Sequence, residues 1–253
     1  MKKLLFVCLL IIPSVLLLAV FDDYQPSAMA RGMGGAYTAV SKDANAIFFN
    51  PAGLINTTFS AKLSFSQLYN QDFSELKTVA LGYKLPKNLG TVAIGARAMD
   101  VDFEDVNLMS EQVYSLAHSF ILLEDIHSRI SFGYTGNLYL LSMDGEDDDT
   151  ALGIDLGALA VLHSRTHIAF AVTNINKATM GDENQIDLPS KLALGIAYVP
   201  YEKVTTSIEV KKDFAKETEF MGGVEAHLLE PLAIRFGVHQ NPATYNAGLS
   251  IYI

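Results

Sequence analysis

The sequence predicts an all-β chain folded as an antiparallel up-and-down transmembrane β-barrel of about 12 strands. Three observations carry this. The chain is half hydrophobic and only 18% charged, below the quarter or so usual in soluble domains. Its apolar residues alternate with small or polar ones from about Ser60 to the end. Its connections alternate between tight and longer ones. A single apolar run approaches the length of a membrane-spanning helix, whereas a barrel strand needs only about ten residues, every second one apolar.

That single run opens the chain. Lys2 and Lys3 precede Leu4 to Val20, interrupted only by Pro13 and Ser14 and ended by Asp22 and Asp23. A basic start, a short apolar stretch and a polar stop make a secretory signal, assigned to residues 1–21 with cleavage near Ala19 to Phe21. A membrane anchor is the alternative, and Pro13 and the short length speak against it. Cys8, the one cysteine, lies inside the signal, so the exported protein is expected to form no disulfide or thiolate metal site. The chain carries 28 acidic against 18 basic residues, two of the latter in the signal, which argues against a nucleic-acid partner.

Residues 22–58 break the strand pattern. Asp22 to Ser27 is loop-like, Arg31-Gly-Met-Gly-Gly-Ala-Tyr37 is a glycine-rich turn, and Thr38 to Phe49 is suited to short helices. Asn50-Pro-Ala-Gly53 is a turn signal. Gly32, Gly34 and Gly35 permit positive φ or a close approach to a wall, and Pro51 fixes the chain direction after Asn50. The glycine run has no Lys-Ser/Thr partner and no preceding strand, so it does not read as a phosphate loop.

Residues 59–253 are assigned to the barrel, with strands near 60–69, 75–85, 91–103, 112–123, 128–142, 151–162, 166–176, 190–200, 203–211, 217–228, 231–239 and 245–253. Ile130, Phe132 and Tyr134 alternate with Arg129, Ser131 and Gly133; Leu192, Leu194 and Ile196 alternate with Lys191, Ala193 and Gly195. Such alternation marks strands with two unlike faces. Tight connections (86–90, 124–127, 163–165, 201–202, 229–230) take turns with longer ones (70–74, 104–111, 143–150, 177–189, 212–216, 240–244), as short periplasmic turns and longer outside loops require. The longer ones hold much of the acid, including Asp144, Glu146, Asp147, Asp148, Asp149, Asp182, Glu183 and Asp187.

The face of small residues also carries Lys84, Arg97, Arg129, Asp155, Lys191, Glu209, Glu225 and Arg235. An Arg or Lys facing lipid at mid-membrane costs about 2–4 kcal/mol, so these charges are expected to point into the lumen. The opposite arrangement, a soluble sandwich with the large residues in its core, shares the same periodicity. The signal, the small residues and the loop alternation favour the barrel. No nucleophile elbow and no helical histidine pair occur, so neither an enzyme nor a metal or cofactor site is expected. Asp144 to Asp149 lacks the spacing of a calcium loop. With no tryptophan in the chain, interfacial girdles fall to Tyr69, Tyr83, Tyr198, Tyr201 and Tyr252.

The stretch Ala30-Arg-Gly-Met-Gly-Gly-Ala-Tyr-Thr-Ala-Val40, followed by Ser-Lys-Asp-Ala-Asn-Ala-Ile-Phe-Phe-Asn-Pro-Ala-Gly-Leu54, resembles the start of the PorV/PorQ-type barrels in the wider FadL-like superfamily of hydrophobic-compound transporters. The resemblance implies a bacterial outer-membrane barrel in contact with lipid. It also implies a plug made by the N-terminal segment in the lumen, to which Arg31, Gly32, Gly34, Gly35, Asn50, Pro51, Ala52 and Gly53 belong. It further implies passage of small hydrophobic or amphipathic molecules, with ligand contacts expected from Phe48, Phe49 and Leu54. PorV-like members instead serve secretion systems as partner-binding surface proteins, so a secretion or surface protein is the rival partner. Barrels of this superfamily usually have fourteen strands; the pattern here gives twelve.

Overall fold

The computed structural model describes Phe21 and residues 24–68, 74–103, 106–181 and 185–252. The signal segment 1–20, Tyr69, Asp182 and Glu183 lie outside the described residues.

Twelve strands form one antiparallel sheet in which each strand pairs with its neighbours in the chain. They are β1 (Phe59–Gln67), β2 (Ser74–Lys84), β3 (Thr91–Phe103), β4 (Val106–Glu124), β5 (Ser128–Met143), β6 (Asp149–Leu162) and β7 (Thr166–Thr173). After a two-stranded hairpin, β8 (Thr179–Met180) and β9 (Ile186–Asp187), follow β10 (Lys191–Tyr201), β11 (Val204–Asp213), β12 (Thr218–Leu229), β13 (Leu232–Gln240) and β14 (Thr244–Ile251). Strand number and order match the sequence reading. Closure does not: among the described residues no pairing joins β1 to β14.

The alternation has the physical consequence it announced. Leu63, Leu81, Ile94, Leu116, Tyr134, Leu152, Phe170, Ile196, Ile208, Val224, Phe236 and Leu249, one from each strand of the sheet, are all exposed. Ala80, Ala93, Ala117, Ser131, Thr135, Ala169, Ala193 and Ser207 on the other face are buried. A sandwich would bury the large residues, so that alternative fails. An apolar face this extensive is stable against lipid rather than water. No described helix is long and apolar enough to cross a membrane; the strands supply the spanning elements.

Turn chemistry fixes the register at the tight end. Arg165 N–H bonds the Leu162 carbonyl around His163 and Ser164, whose φ values are +49° and +57°. Two successive left-handed residues give the turn whose twist suits a hairpin. At the opposite end two connections differ from the expectation. Residues 106–111, read as loop, continue β4, and Val106 pairs with Phe103. The 177–189 connection contains the β8–β9 hairpin. Neither leaves an alternation to read: Val106, Asn107 and Leu108 are all exposed, and β8 and β9 have two residues each.

Candidate functional site

Residues 24–58 lie on the inward face of the sheet, built from one short α-helix, α1 (Ala28–Gly32), and two 3-10 helices, Ala44–Phe48 and Pro51–Asn56. Their starts are set locally. The Asp43 carboxylate accepts the Asn45 N–H, and the Asn50 side-chain oxygen accepts the Ala52 N–H, satisfying donors that a helix start leaves free. Pro51 takes the first helical position, where its missing N–H costs nothing. Arg31 and Gly32, read as part of a turn, instead belong to α1, and the turn proper begins after it. Gly34 and Gly35 have φ of +65° and +89°, which glycine adopts without strain.

The segment touches every strand of the twelve-stranded sheet. On the β1–β7 side, Ala44 N–H bonds Ser60 Oγ at 3.2 Å and Thr78 Oγ1 bonds the Pro26 carbonyl at 3.1 Å. Phe48 lies against Gly95. Ser119 and Ser131 each donate a hydroxyl to the Ala52 carbonyl, at 3.1 and 3.2 Å. Asn50 Nδ2 donates to the carbonyls of Thr38 and Ala158, both at 3.2 Å, and a His167 ring nitrogen lies 3.2 Å from the Ala39 carbonyl. On the other side, Ala39 packs on Gly195, Met33 on Gly223, Gly34 on Gly237 and Gly32 on Gly248. Thr38 on the segment meets Glu209 on β11.

The wall is cut to this occupant. A Cβ on Gly133 would sit 2.4 Å from the Pro51 carbonyl carbon, one on Gly157 2.1 Å from Asn50 Oδ1, and one on Gly237 2.0 Å from Gly34 N. Backbone lies on backbone at Gly133 and Gly237, and the Asn50 side chain lies on Gly157, so none of the three has room for a side chain.

All eight charged residues singled out above stand on the inward register of their strands. Their partners differ. Lys84, at the end of β2, is exposed, and Arg97 is half-buried. Arg129 donates Nη2 to the Asn56 side chain. Asp155 accepts from Asn137 Nδ2 and the Asn174 N–H, both at 2.7 Å. Lys191 is buried at the start of β10. Arg235, 1% exposed, donates Nε to Glu225 at 2.5 Å, Nη1 to Ser250 Oγ at 2.8 Å and Nη2 to Tyr252 OH at 3.2 Å. The pair Arg235–Glu225 lies on the side that holds the N-terminal segment, whereas Lys77 pairs with Glu75 and Asp100 on the outward register of β2 and β3.

The three residues expected to touch a ligand are not brought to one opening. Phe48 and Leu54 pack with Ala80, Ala93 and Ala117, Leu54 being fully buried. Phe49 stacks edge-on against Tyr37, ring centroids 5.0 Å apart. Burial holds the Tyr37 phenol well above its ordinary pKa, so this pair is neutral. A cavity of about 350 Å³ opens at the tight-turn end, lined by Val40, Ser41, Lys42, Asn56, Arg129, Leu159, Val161 and His167 among others. None of Phe48, Phe49 or Leu54 lines it.

A second inward cluster lies at the opposite end, and the sequence reading did not foresee it. Phe21, Val113, Tyr139, Leu141, Ala151, Met180 and Leu188 are buried together, with Met109, Met143 and Ala178 packed around them. Met180 and Leu188, from the connection between β7 and β10, join it. Asn174 holds that connection: its side chain donates to the Leu188 carbonyl and accepts the Ala178 N–H, both at 3.0 Å, and its carbonyl accepts Ser190 Oγ. Phe21, the last residue of the segment read as a signal, is part of this cluster. Among the described residues no group of three His, Cys, Asp or Glu side chains is positioned to hold a metal ion.

No protein-family model matches the sequence, and no curated protein matches it. Solved structures do. The CymD monoaromatic hydrocarbon channel superposes with a TM-score of 0.58 at 12% identity, covering 87% of this chain and 86% of that one. The toluene transporter TodX of Pseudomonas putida gives a TM-score of 0.53 at 13% identity, over 87% and 84% of the two chains. A Pseudomonas aeruginosa FadL homologue gives 0.50 at 10% identity, over 84% and 79%. The chain has the fold of these outer-membrane β-barrels.

Proposed function

We propose that this protein is an outer-membrane channel for small hydrophobic or amphipathic molecules, and that residues 22–58 are its plug. One observation carries the reading: a single N-terminal segment contacts the inward face of all twelve strands. A hollow sheet with an apolar exterior and a small-residue interior is suited to pass solute, and the segment occupies that interior. Likeness to a monoaromatic hydrocarbon channel and a toluene transporter supports the same reading and makes neutral aromatics the first substrates to try. The reading assigns no catalysis and no cofactor.

The test is uptake and conductance with purified protein. Liposomes carrying the protein are expected to take up toluene faster than empty ones. Deleting residues 30–54 is expected to raise ion conductance in planar bilayers. An unchanged conductance in a correctly folded deletion variant would count against the plug.

A PorV-like scaffold is the second reading, favoured by one feature. Asp144, Glu146, Asp147 and Asp148 form an exposed acidic loop between β5 and β6, suited to docking a basic partner. Neutralising these four residues should abolish co-purification of a secretion or surface partner if this reading holds, and should leave toluene uptake intact if the channel reading holds.

A further inference from the structure

We propose that the cavity at the tight-turn end is an anion site, that it takes a small oxyanion (a phosphate or a carboxylate), and that the bound anion ties the N-terminal segment to the wall. The inference goes beyond the channel reading and does not depend on it.

The cavity, about 350 Å³, lies between the segment and the sheet. The segment brings Ser41 and Lys42 to it, and the wall brings Arg129. Two buried donors meet there with no partner, one from each side. Ser41 is 2% exposed and its hydroxyl is unbonded. Arg129 donates Nη2 to Asn56, and its buried Nε is unbonded. A buried donor without an acceptor is destabilising, and a group with several oxygens serves both at once. The backbone that carries Ser41 is held in place two residues earlier, where the Ala39 carbonyl lies 3.2 Å from a His167 ring nitrogen.

Charge decides what kind of oxygen fits. Lys42 and Arg129 form no ion pair among the described residues. The acids nearby are spent or turned to solvent. Asp43, next to Lys42, pairs with Lys62 at 3.0 Å. Asp125 lines the cavity, but Oδ1 accepts the N–H groups of His127 and Ser128, both at 2.7 Å, and Oδ2 accepts Ser128 Oγ at 2.9 Å. Glu124, cross-strand partner of Arg129, is exposed. Two cations and a hydroxyl therefore face one space without a counter-charge. Lysine and arginine bond an oxyanion more strongly than a neutral acceptor.

The lining also includes Val40, Leu159 and Val161, so an anion with a small apolar body fits as well as a bare one. Tight turns face the periplasm in barrels of this kind, and the anion is drawn from that side. Once bound, it bridges Ser41 and Lys42 to Arg129, a place where the segment otherwise meets the wall only through Asn56.

Titration calorimetry on the protein in a nonionic detergent tests this with inorganic phosphate, with benzoate and with benzamide, the uncharged counterpart of benzoate. Saturable binding of phosphate or benzoate is expected, and none of benzamide; the tighter of the two anions identifies the source. Lys42→Gln is expected to weaken binding about tenfold, the loss of one charged hydrogen bond. The Lys42 side chain is exposed and bonds nothing else among the described residues, so this variant is expected to fold as the parent does. Arg165→Gln removes a cation of the neighbouring turn that does not line the cavity, and is expected to leave binding unchanged. The saturating anion is expected to raise the unfolding temperature of the unaltered protein and not that of Lys42→Gln; no rise in the unaltered protein overturns the tie. No saturable binding of either anion, equal binding of benzamide, or an equal loss in Arg165→Gln overturns the site. Toluene uptake tests the channel separately, and its failure leaves this site standing.

Discussion

Thr38 gives both its backbone N–H and its hydroxyl to the carboxylate of Glu209, each at 2.8 Å. Glu209 is 1% exposed and lies 171 positions away in the sequence. The pair therefore ties the middle of the N-terminal segment to β11 through the least exposed part of the sheet. Replacing Glu209 with alanine strands two buried donors, at about 1–3 kcal/mol each. The expected result is a lower unfolding temperature on heat-modifiable gel migration. Glu209→Gln, which keeps an acceptor, is expected to lose less; equal losses would show that the two bonds contribute little.

The glycine contacts allow a sharper contrast. Gly133→Ala drives a methyl into the backbone of Pro51, whereas Gly136→Ala, three positions along the same strand, meets nothing within 4 Å. The first variant is expected to expose the bond after Pro51 to added protease or to fail to fold; the second is expected to behave as the parent. Overpacking of a tight contact costs about 1–3 kcal/mol, and guanidinium midpoints of the two variants measure the difference.

The outward face predicts dependence on depth. Ile196 sits in the middle of β10 and is exposed. Ile196→Arg is expected to cost about 2–4 kcal/mol of folding stability in lipid vesicles, and Tyr201→Arg, at the strand end, about 0–1 kcal/mol. Equal effects at both positions would mean that this face does not contact hydrocarbon.

Arg235 and Glu225 form a fourth test. Removing one member of a buried pair leaves its partner uncompensated, at about 3–5 kcal/mol, while replacing both with neutral residues of similar size is often nearly neutral. Arg235→Met is expected to lower the urea midpoint strongly and Arg235→Met with Glu225→Gln to recover much of it. Ser250 and Tyr252 also lose a donor in both variants, so recovery is expected to be incomplete.

The strands were legible because a membrane wall leaves a regular trace. Leu192, Leu194 and Ile196 must face lipid and Lys191, Ala193 and Gly195 must not, so one strand suffices to show the period. The β3–β4 extension was not legible, since Val106, Asn107 and Leu108 are all exposed and carry no alternation. The two-residue strands β8 and β9 are too short to show any period. Contacts such as Thr38 with Glu209, or Ser131 with Ala52, join distant positions and leave no local mark. Gly133, Gly157 and Gly237 stand on the inward register where the segment meets the wall, yet nothing in a strand says which part of the chain approaches it. Phe21 follows directly on an apolar run, and its own sequence context offers no reason to separate it from that run.

The match between wall and occupant bears on what change the sheet can tolerate. Asn50 bonds Thr38 on its own side and Ala158 on β6, and Gly133, Gly157 and Gly237 leave no room for a side chain beneath the segment. The two sides of one strand therefore answer to different demands: outside, any apolar residue serves, while inside only the shape already there will fit.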